Sequence, residues 1–206
     1  MHQKITIVDY GMGNLHSVKR MFARIGVEAI ITSKWMDVRD SEKLVLPGVG
    51  HFKKAVENLK ELKLWDCLNI SVLEKKIPIL GICLGMQLMA KFSEEGNVNG
   101  LGWFDADVVK FRVNDTLKYK VPHIGWNQVA INKPSQLFND VDLTSGFYFV
   151  HSYHIKCHNQ EDVLNETLYE NSFISGIQKD NIFGVQYHPE KSHDAGEQIM
   201  RNFANM

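Results

Sequence analysis

Short runs of apolar residues recur in the first half of the chain, separated by longer polar stretches. The runs cover residues 4–10, 27–32, 43–50 and 77–82. Their length and their enrichment in Ile, Val and Leu predict buried strands. We expect the third strand to be broken at Pro47 and Gly48, because proline cannot donate a hydrogen bond to a sheet.

The polar stretches between these runs carry apolar residues at helical spacing. One helical face is formed by Leu15, Val18, Phe22 and Ile25. Residues 51–76 are charged and helical in pattern, and residues 86–92 predict the start of another helix. This alternation of strand and helix is typical of a parallel, doubly wound sheet flanked by helices.

After residue 102 the pattern changes to successive strand-like runs with little helix between them. These runs cover residues 105–111, 121–131, 146–156, 166–170, 172–178 and 181–188. We expect a mixed or antiparallel sheet layered on the parallel one, followed by an amphipathic helix over 195–203. No repeat, linker or low-complexity segment interrupts the chain, so we expect one α/β domain over residues 1–206.

Composition and charge argue against several classes of function. The 206 residues are 44% hydrophobic and 23% charged, with a formal net charge of −1. Without a basic surplus we expect neither nucleic acid nor a membrane surface as partner. No apolar run approaches the ~20 residues of a membrane span, and the first residues are typical of a strand, so we expect a cytoplasmic protein with reduced thiols. The three cysteines are widely spaced and form no CxxC pair, so we expect no metal and no other cofactor.

Cys83 stands between Gly81 and Gly85 in GICLGMQ (81–87), directly after a predicted strand. Strand, G-x-C-x-G and helix is the arrangement of a nucleophile elbow, whose sharp turn needs small flanking residues. The following helix would favour a thiolate, and the N–H of Leu84 would be placed to hold an oxyanion. The alternative is a small buried hydrophobic residue, which is our interpretation of the two other cysteines, Cys67 and Cys157.

A thiolate that performs acyl transfer needs a base with an orienting carboxylate. His188 and Glu190, in FGVQYHPEKS (183–192), are two residues apart and point the same way in extended backbone. They are the candidates for base and orienter, and the alternative is a surface turn. LPGVG (46–50) could supply a second oxyanion donor, or it could be an ordinary turn between strand and helix.

The HSYH cluster at 151–154 raises the question of a metal site. Alternation along a strand would put His151 and Tyr153 on one face and Ser152 and His154 on the other. That division does not form a metal-binding triad.

Taken together, these motifs resemble those of the class I (triad) glutamine amidotransferases. The match is closer to the glutaminase subunits of imidazole glycerol phosphate synthase, an enzyme of histidine biosynthesis, and it spans almost the whole chain. The resemblance implies a flavodoxin-like fold with a mostly parallel central sheet. It rests on IVDYGMGNLHSV (7–18), LPGVG, GICLGMQ, VPHIGWNQV (121–129), FYFVHSYH (147–154) and GVQYHPEKS.

The resemblance also implies a role for each matching residue. Cys83 would attack the side-chain amide of L-glutamine, His188 would transfer the proton, and Glu190 would orient His188. The remaining roles would be an oxyanion hole and a pocket for glutamine. The oxyanion donors would be Leu84 and Val49, and the substrate-binding residues would be Gly50, Gln87, Ser152 and Tyr153.

The partner implied by the resemblance is a (β/α)8 barrel synthase subunit in a heterodimer, with ammonia delivered through the barrel. Asn14, Trp126 and Lys191 would face that partner, with Trp126 near the ammonia exit, unless Trp126 simply packs in the core. Acceptor binding on the synthase would activate the glutaminase at a distance. Our hypothesis is that the PGVG loop is the two-state element, with the Val49 N–H turned away from the hole at rest.

Several positions keep other functions open. His51 stands where we expect a small residue, and residues 100–108 and 191–198 resemble paralogues that feed amidotransferases of surface-polysaccharide sugars. Two further alternatives are a cysteine peptidase or other hydrolase and an inactive binding subunit. The intact trio of Cys83, His188 and Glu190 argues against the inactive one.

Overall fold

The computed structural model describes residues 5–206; residue 4, in the first predicted strand, lies outside the described residues. The helices are α1 (Leu15–Arg24), α2 (Trp35–Arg39), α3 (Phe52–Glu61), α4 (Leu64–Asn69), α5 (Leu84–Gln87) and α6 (His193–Asn205). The strands of the first half are β1 (Ile5–Val8), β2 (Ala29–Thr32), β3 (Lys43–Gly48), β4 (Ile79–Cys83), β5 (Ala90–Ser93) and β6 (Val98–Asn99). Those of the second half are β7 (Phe104–Lys110), β8 (His123–Asn127), β9 (Ala130–Ile131), β10 (Phe147–His151), β11 (Tyr153–Cys157), β12 (Val163–Leu168), β13 (Ser172–Lys179) and β14 (Ile182–Val185).

A parallel sheet with helices on both faces forms the centre of the molecule. Its strands follow the order β2-β1-β3-β4-β14, all parallel. Strands β1, β3, β4 and β14 are buried along their whole length, so most of their residues are apolar without alternation, as the sequence pattern predicted. Successive residues enter opposite cores: Leu44 and Leu46 pack on one side with α3 and α4, and Val45 packs on the other with α1 and α6.

The antiparallel strands extend this sheet instead of lying over it. Beyond β14 the order continues β13-β11-β7-β5-β6, so the hydrogen bonding runs from one half of the chain into the other. A separate two-stranded antiparallel sheet, β8 with β10, carries the GWN and FYFVH motifs. The predicted class, a mostly parallel sheet flanked by helices with an added mixed part, is confirmed, but the expected layering applies only to β8 and β10.

Three local predictions were wrong. Strand β3 runs through Pro47 to Gly48, because β1 pairs with it only as far as Val45 and the proline faces no strand on that side. The long helix predicted over 51–76 divides into α3 and α4 at Lys63, whose φ is 58°, and then continues as a π-helix over Ile70–Glu74.

The helix predicted over 86–92 is the third error. Helix α5 ends at Gln87, and the chain continues as strand β5, paired with β6 and β7. All residues from Leu84 to Ala90 are buried, so no solvent-facing side remains to favour an amphipathic helix. The helical spacing of the methionines there reflects packing on every side.

Among residues 5–206, the helices are too short or too polar to cross a membrane.

Candidate functional site

Cys83 occupies a strained turn between β4 and α5. Its φ is 55° and its ψ is −113°, a conformation that non-glycine residues rarely adopt and that a nucleophile elbow requires. Gly85 makes this turn possible, because a Cβ there would lie 1.7 Å from the carbonyl oxygen of Leu46. The absence of a side chain lets the one-turn helix pack directly on the backbone of β3.

Sheet topology brings the three motifs to one edge. Strand β4 lies between β3 and β14, and Gly48 pairs in register with Cys83. Because all three strands are parallel, the PGVG loop, the Cys83 elbow and the segment leading to His188 leave the sheet at the carboxyl ends of the strands. That edge is where open α/β sheets bind ligands.

His188 and Glu190 form a buried pair beside this edge. Nδ1 of His188 lies 2.8 Å from Oε1 of Glu190, and both side chains are 2% exposed. The backbone of His188 is held on both sides: its N–H donates to Tyr148 O and its carbonyl accepts from Oγ of Ser192. Because Nδ1 donates to the carboxylate, Nε2 is the nitrogen left to act on a reacting group.

The charge state of His188 is set by its neighbours. Burial by itself lowers the pKa of His188, but interaction with the Cys83 sulfur and then with Glu190 outweighs burial and raises the pKa to about 10. Nε2 of His188 and Oε2 of Glu190 are buried, and within residues 5–206 neither has a well-aligned hydrogen-bond partner. The imidazole is therefore protonated at neutral pH, with Nδ1 held by Glu190 and Cys83 as its other interacting neighbour.

A cavity of about 210 Å³ opens directly above Cys83. It brings together the predicted nucleophile, both predicted oxyanion donors and all four predicted substrate residues. Its lining consists of Val49, Gly50, Cys83, Leu84, Gln87, Glu95, Pro122, Val150, His151, Ser152 and Tyr153. The strand alternation expected for HSYH was wrong, because β10 ends at His151 and β11 begins at Tyr153, so three successive residues face the cavity.

Two glutamines beneath the cavity connect its floor to the sulfur. Gln87 is buried, and its Nε2 donates to Tyr153 O and to Oε1 of Gln186, each at 2.9 Å. Nε2 of Gln186 lies 3.5 Å from Sγ of Cys83, whose thiol also faces Val150 O at 3.9 Å. Gln186 escaped the sequence analysis, although its spacing of two from His188 was the available signal.

The other cysteines and histidines have different environments. Cys67 and Cys157 are buried, and burial raises the pKa of Cys157 to about 12, which suits an unreactive thiol. His123 and His151 form a buried pair that the sequence did not predict: His151 was considered only for a metal site within HSYH, and His123 only as part of the VPHIGWNQV motif. Within residues 5–206, His, Cys, Asp and Glu side chains form no group that could hold a metal ion.

The residues predicted to face a partner lie on one side of the molecule. Trp126 is 48% exposed, so the core-packing alternative was wrong. Its ring stacks on His193 at 4.8 Å and meets Tyr148 edge-on, while Nζ of Lys191 lies over the same tyrosine. Asn14 precedes α1, and α1 packs against the turn that contains Lys191.

Comparisons with known proteins agree with this geometry. Residues 6–206 match the family model "Glutamine amidotransferase class-I". The chain is 50% identical over 199 residues to imidazole glycerol phosphate synthase subunit HisH 2 of Methanococcus maripaludis, covering 97% of this chain and 98% of the relative. It is 45% identical over 203 residues to subunit HisH 1 of Campylobacter jejuni, covering 98% and 100%.

The fold also matches solved structures. A crystal structure of a glutamine amidotransferase superimposes with a TM-score of 0.74 at 16% sequence identity, covering 98% of this chain and 99% of that one. At such low identity the likeness concerns the fold alone. The matches to the family model and to the relatives go further: the chain belongs to the class-I glutamine amidotransferases and, within them, to the HisH subunits of imidazole glycerol phosphate synthase.

Proposed function

We propose that this chain hydrolyses L-glutamine to glutamate and ammonia at Cys83 and passes the ammonia to a (β/α)8 barrel synthase subunit. His188 takes the proton of the Cys83 thiol, and Sγ bonds to the side-chain carbonyl carbon. The C–N bond then breaks, and ammonia leaves with that proton from His188. Water then attacks the glutamyl thioester and gives a proton to His188; the C–S bond breaks, glutamate leaves, and the proton returns to Sγ to restore the thiol. The supporting observation is that a strained Cys83, facing a small cavity, stands beside a buried His188–Glu190 pair.

The protonation state of His188 suits the first half of this reaction. With a pKa of about 10, the imidazole already carries the proton that the leaving ammonia needs. Glu190 keeps that charge in place and holds Nδ1, so that Nε2 remains directed to the reaction. The N–H groups of Leu84 and Val49 are our candidates for stabilising the oxyanion, since both residues line the cavity.

The cavity's polar groups match the two ends of an amino acid. Both N–H bonds of Gln87 are used by the protein, so its Oε1 is free to accept from the α-ammonium of glutamine. Glu95 adds a negative charge to the same wall, and Gly50, Ser152 and Tyr153 complete it. These roles favour a small zwitterionic substrate over an extended peptide, which argues against a cysteine peptidase.

The proposed partner follows from the relatives, which are named as subunits of imidazole glycerol phosphate synthase. We propose a heterodimer in the cytoplasm, with the exposed face around Trp126 and Lys191 against the barrel. Ammonia is largely protonated in neutral water and is then a poor nucleophile, so direct delivery protects its reactivity. The acceptor we propose is the histidine-pathway intermediate bound by the barrel.

Glutamine hydrolysis by the wild type and by Cys83→Ala, each with and without the cognate barrel synthase, tests this proposal. We expect the wild type with synthase to release glutamate and Cys83→Ala to release none above background. A wild type as inert as Cys83→Ala in the presence of the synthase would contradict the proposal and favour an inactive binding subunit.

The acceptor is tested separately. Copurification with a barrel synthase, followed by formation of imidazole glycerol phosphate from glutamine, is the expected result. Glutamine hydrolysis that is stimulated only by a sugar amidotransferase would support the polysaccharide paralogue and reject the histidine pathway.

A further inference from the structure

A buried pair of histidines begins a series of hydrogen bonds that leads into the glutamine pocket. Nδ1 of His123, on β8, lies 3.1 Å from Nε2 of His151, on β10, and the two residues are directly opposite in the strand pairing. Nδ1 of His151 lies 2.9 Å from the carbonyl oxygen of Tyr153. His151 and Tyr153 both line the cavity above Cys83.

The same carbonyl connects the pair to the nucleophile. Tyr153 O also accepts from Nε2 of Gln87 at 2.9 Å, and Gln87 donates to Oε1 of Gln186. Nε2 of Gln186 then reaches Sγ of Cys83 at 3.5 Å. The hydrogen bonds thus run without interruption from β8 to the sulfur.

The partners assign the proton positions in this series. A carbonyl can only accept, so Nδ1 of His151 must donate, and in the neutral ring its Nε2 then accepts. His123 must therefore donate from its own Nδ1. Burial lowers the pKa of His123 to about 4 and that of His151 to about 3, so both rings are neutral at physiological pH.

Aromatic rings hold His123 in this orientation. Its ring stacks on Phe149 at 5.0 Å and packs against Tyr169 at 4.2 Å, and its side chain is buried. A ring held between two others cannot turn its Nδ1 away from His151 without repacking. We therefore expect the hydrogen bond between His123 and His151 to move only when strand β8 moves.

Strand β8 also reaches the surface that carries Trp126, three residues after His123. We infer that His123 is a positioning residue that holds the glutamine pocket and the Cys83 sulfur in place through His151, Tyr153 O and the two glutamines. A displacement of β8 at the exposed face is thereby transmitted to the site. The choice of glutamine as the ligand rests on the proposed function, whereas the hydrogen bonds from His123 to Cys83 do not depend on it.

Glutamine binding in the Cys83→Ala background, measured by calorimetry, is the first test. We expect His123→Phe, which keeps a ring but loses the donor, to weaken binding about fivefold to tenfold. His123→Asn keeps a donor near the Nδ1 position and should restore most of the affinity. Tyr169→Phe is the matched control: it keeps the ring against His123, loses only the hydroxyl bonded to the backbone of Lys120, and should stay within about twofold.

Steady-state kinetics with the synthase separate positioning from general damage. His123→Phe should raise KM for glutamine more than it lowers kcat, whereas a misfolded fraction would lower kcat alone. Nitrogen-15 NMR of the wild-type imidazoles should find both rings neutral with the proton on Nδ1. A proton on Nε2 of His151, or equal glutamine affinity in His123→Phe and its parent, would overturn the inference.

A readout without glutamine keeps the inference testable if the proposed function fails. Alkylation of Cys83 by iodoacetamide, followed by mass spectrometry of the peptide that contains it, reports the placement of the sulfur. We expect its rate to change at least about threefold in His123→Phe and to stay unchanged in Tyr169→Phe. An unchanged rate in His123→Phe rejects the inference, and absence of glutamine binding in every variant rejects the proposed function.

Discussion

The proton on His188 is the single-residue feature on which the proposed chemistry depends. Its pKa of about 10 reflects the adjacent Cys83 sulfur and Glu190 acting against burial. Each of these neighbours can be removed separately, so their contributions can be separated. The carboxylate is the cleaner target because Glu190 is not among the residues that line the cavity.

Glu190→Gln is expected to lower the pKa of His188, because the amide still accepts from Nδ1 but carries no charge. The kcat for glutamine hydrolysis should fall on the order of 10²–10⁴-fold. The alkaline limb of the kcat–pH profile should move to lower pH. The control is Glu197→Gln, which removes a carboxylate of α6 that pairs with Arg24 and Arg201. If the kcat–pH profile of Glu190→Gln matched that of the control, the role of Glu190 as the partner of His188 would be contradicted.

The histidine pair predicts a loss of stability in acid. The ordinary histidine pKa of 6.5 is lowered to about 4 in His123 and to about 3 in His151, so below pH 6.5 the unfolded chain binds protons that the folded chain does not. Their contribution to stability is complete above pH 6.5 and decreases as the pH falls. His188, with its raised pKa, loses its contribution in the opposite direction, as the pH rises toward 10.

Comparison of His123→Phe with the wild type isolates the pair, since His188 is common to both. The free energy of unfolding, from urea titrations at pH 8 and pH 5, should decrease less in His123→Phe than in the wild type. A larger decrease in the variant would mean that His123 is not kept neutral by the fold.

Single residues could be predicted where a short motif contains them, but residues brought together by long-range strand pairing could not. Cys83 stands in one short motif and His188 with Glu190 in another; the spacing of two predicts that the latter pair is close, and the resemblance implies that both motifs meet. His123 and His151 are 28 residues apart and meet only because β8 and β10 pair in one register. That register depends on the whole half of the chain and has no local signal.

Among the elements, the turn from β4 into α5 places the nucleophile. Its conformation depends on close contact with β3, where Gly85 lies against the backbone of Leu46. The strand–glycine–helix pattern predicted this turn correctly. It failed for the length of the helix, because strand pairing with β6 and β7 overrides the helical spacing after Gln87.

Gly85→Ala is expected to destabilise the fold by about 3 kcal/mol or more, since the added methyl group would overlap a backbone carbonyl that cannot move away. Gly102→Ala is the control: nothing lies within 4 Å of its added Cβ, but its φ of 71° costs about 1 kcal/mol. Urea unfolding of both variants measures the difference. A cost at Gly85 below that at Gly102 would show that the elbow has room that the structure does not suggest.

At the scale of the whole molecule, the paired strands β8 and β10 connect the cavity with the exposed face around Trp126. His151, on β10, lines the cavity, and Trp126 lies on β8. Topology explains why widely separated motifs converge. The alternation of strand and helix predicted that the strands are parallel, but not the order in which they pair. That residues 1–206 form one domain stays a prediction, supported by a sheet that runs through both halves. The acceptor of the ammonia is a property of the partner, which explains why the residues of this chain alone do not specify it.

Trp126→Ala is expected to weaken binding to the barrel synthase by about 30-fold or more, as for an exposed aromatic residue at the centre of an interface. Glutamine hydrolysis should then need correspondingly more synthase, while the rate at saturating synthase changes less. Trp35→Ala is the control, because Trp35 is 40% exposed but lies on α2, which packs against α4 and β1. Equal losses in both variants would place the interface elsewhere.

The parallel stack of Trp126 on His193 gives the molecule a built-in optical reporter. The fluorescence emission of an indole ring depends on the polarity around it and on quenching by a neighbouring imidazole. The Trp126 ring is about half exposed to water, and it stacks face to face on the His193 imidazole at an interplanar angle of 5°. Covering that face would change both conditions at once. Assembly could therefore be followed in real time by the chain's own fluorescence, without a label, and His193→Gln would identify how much of the signal comes from the stack.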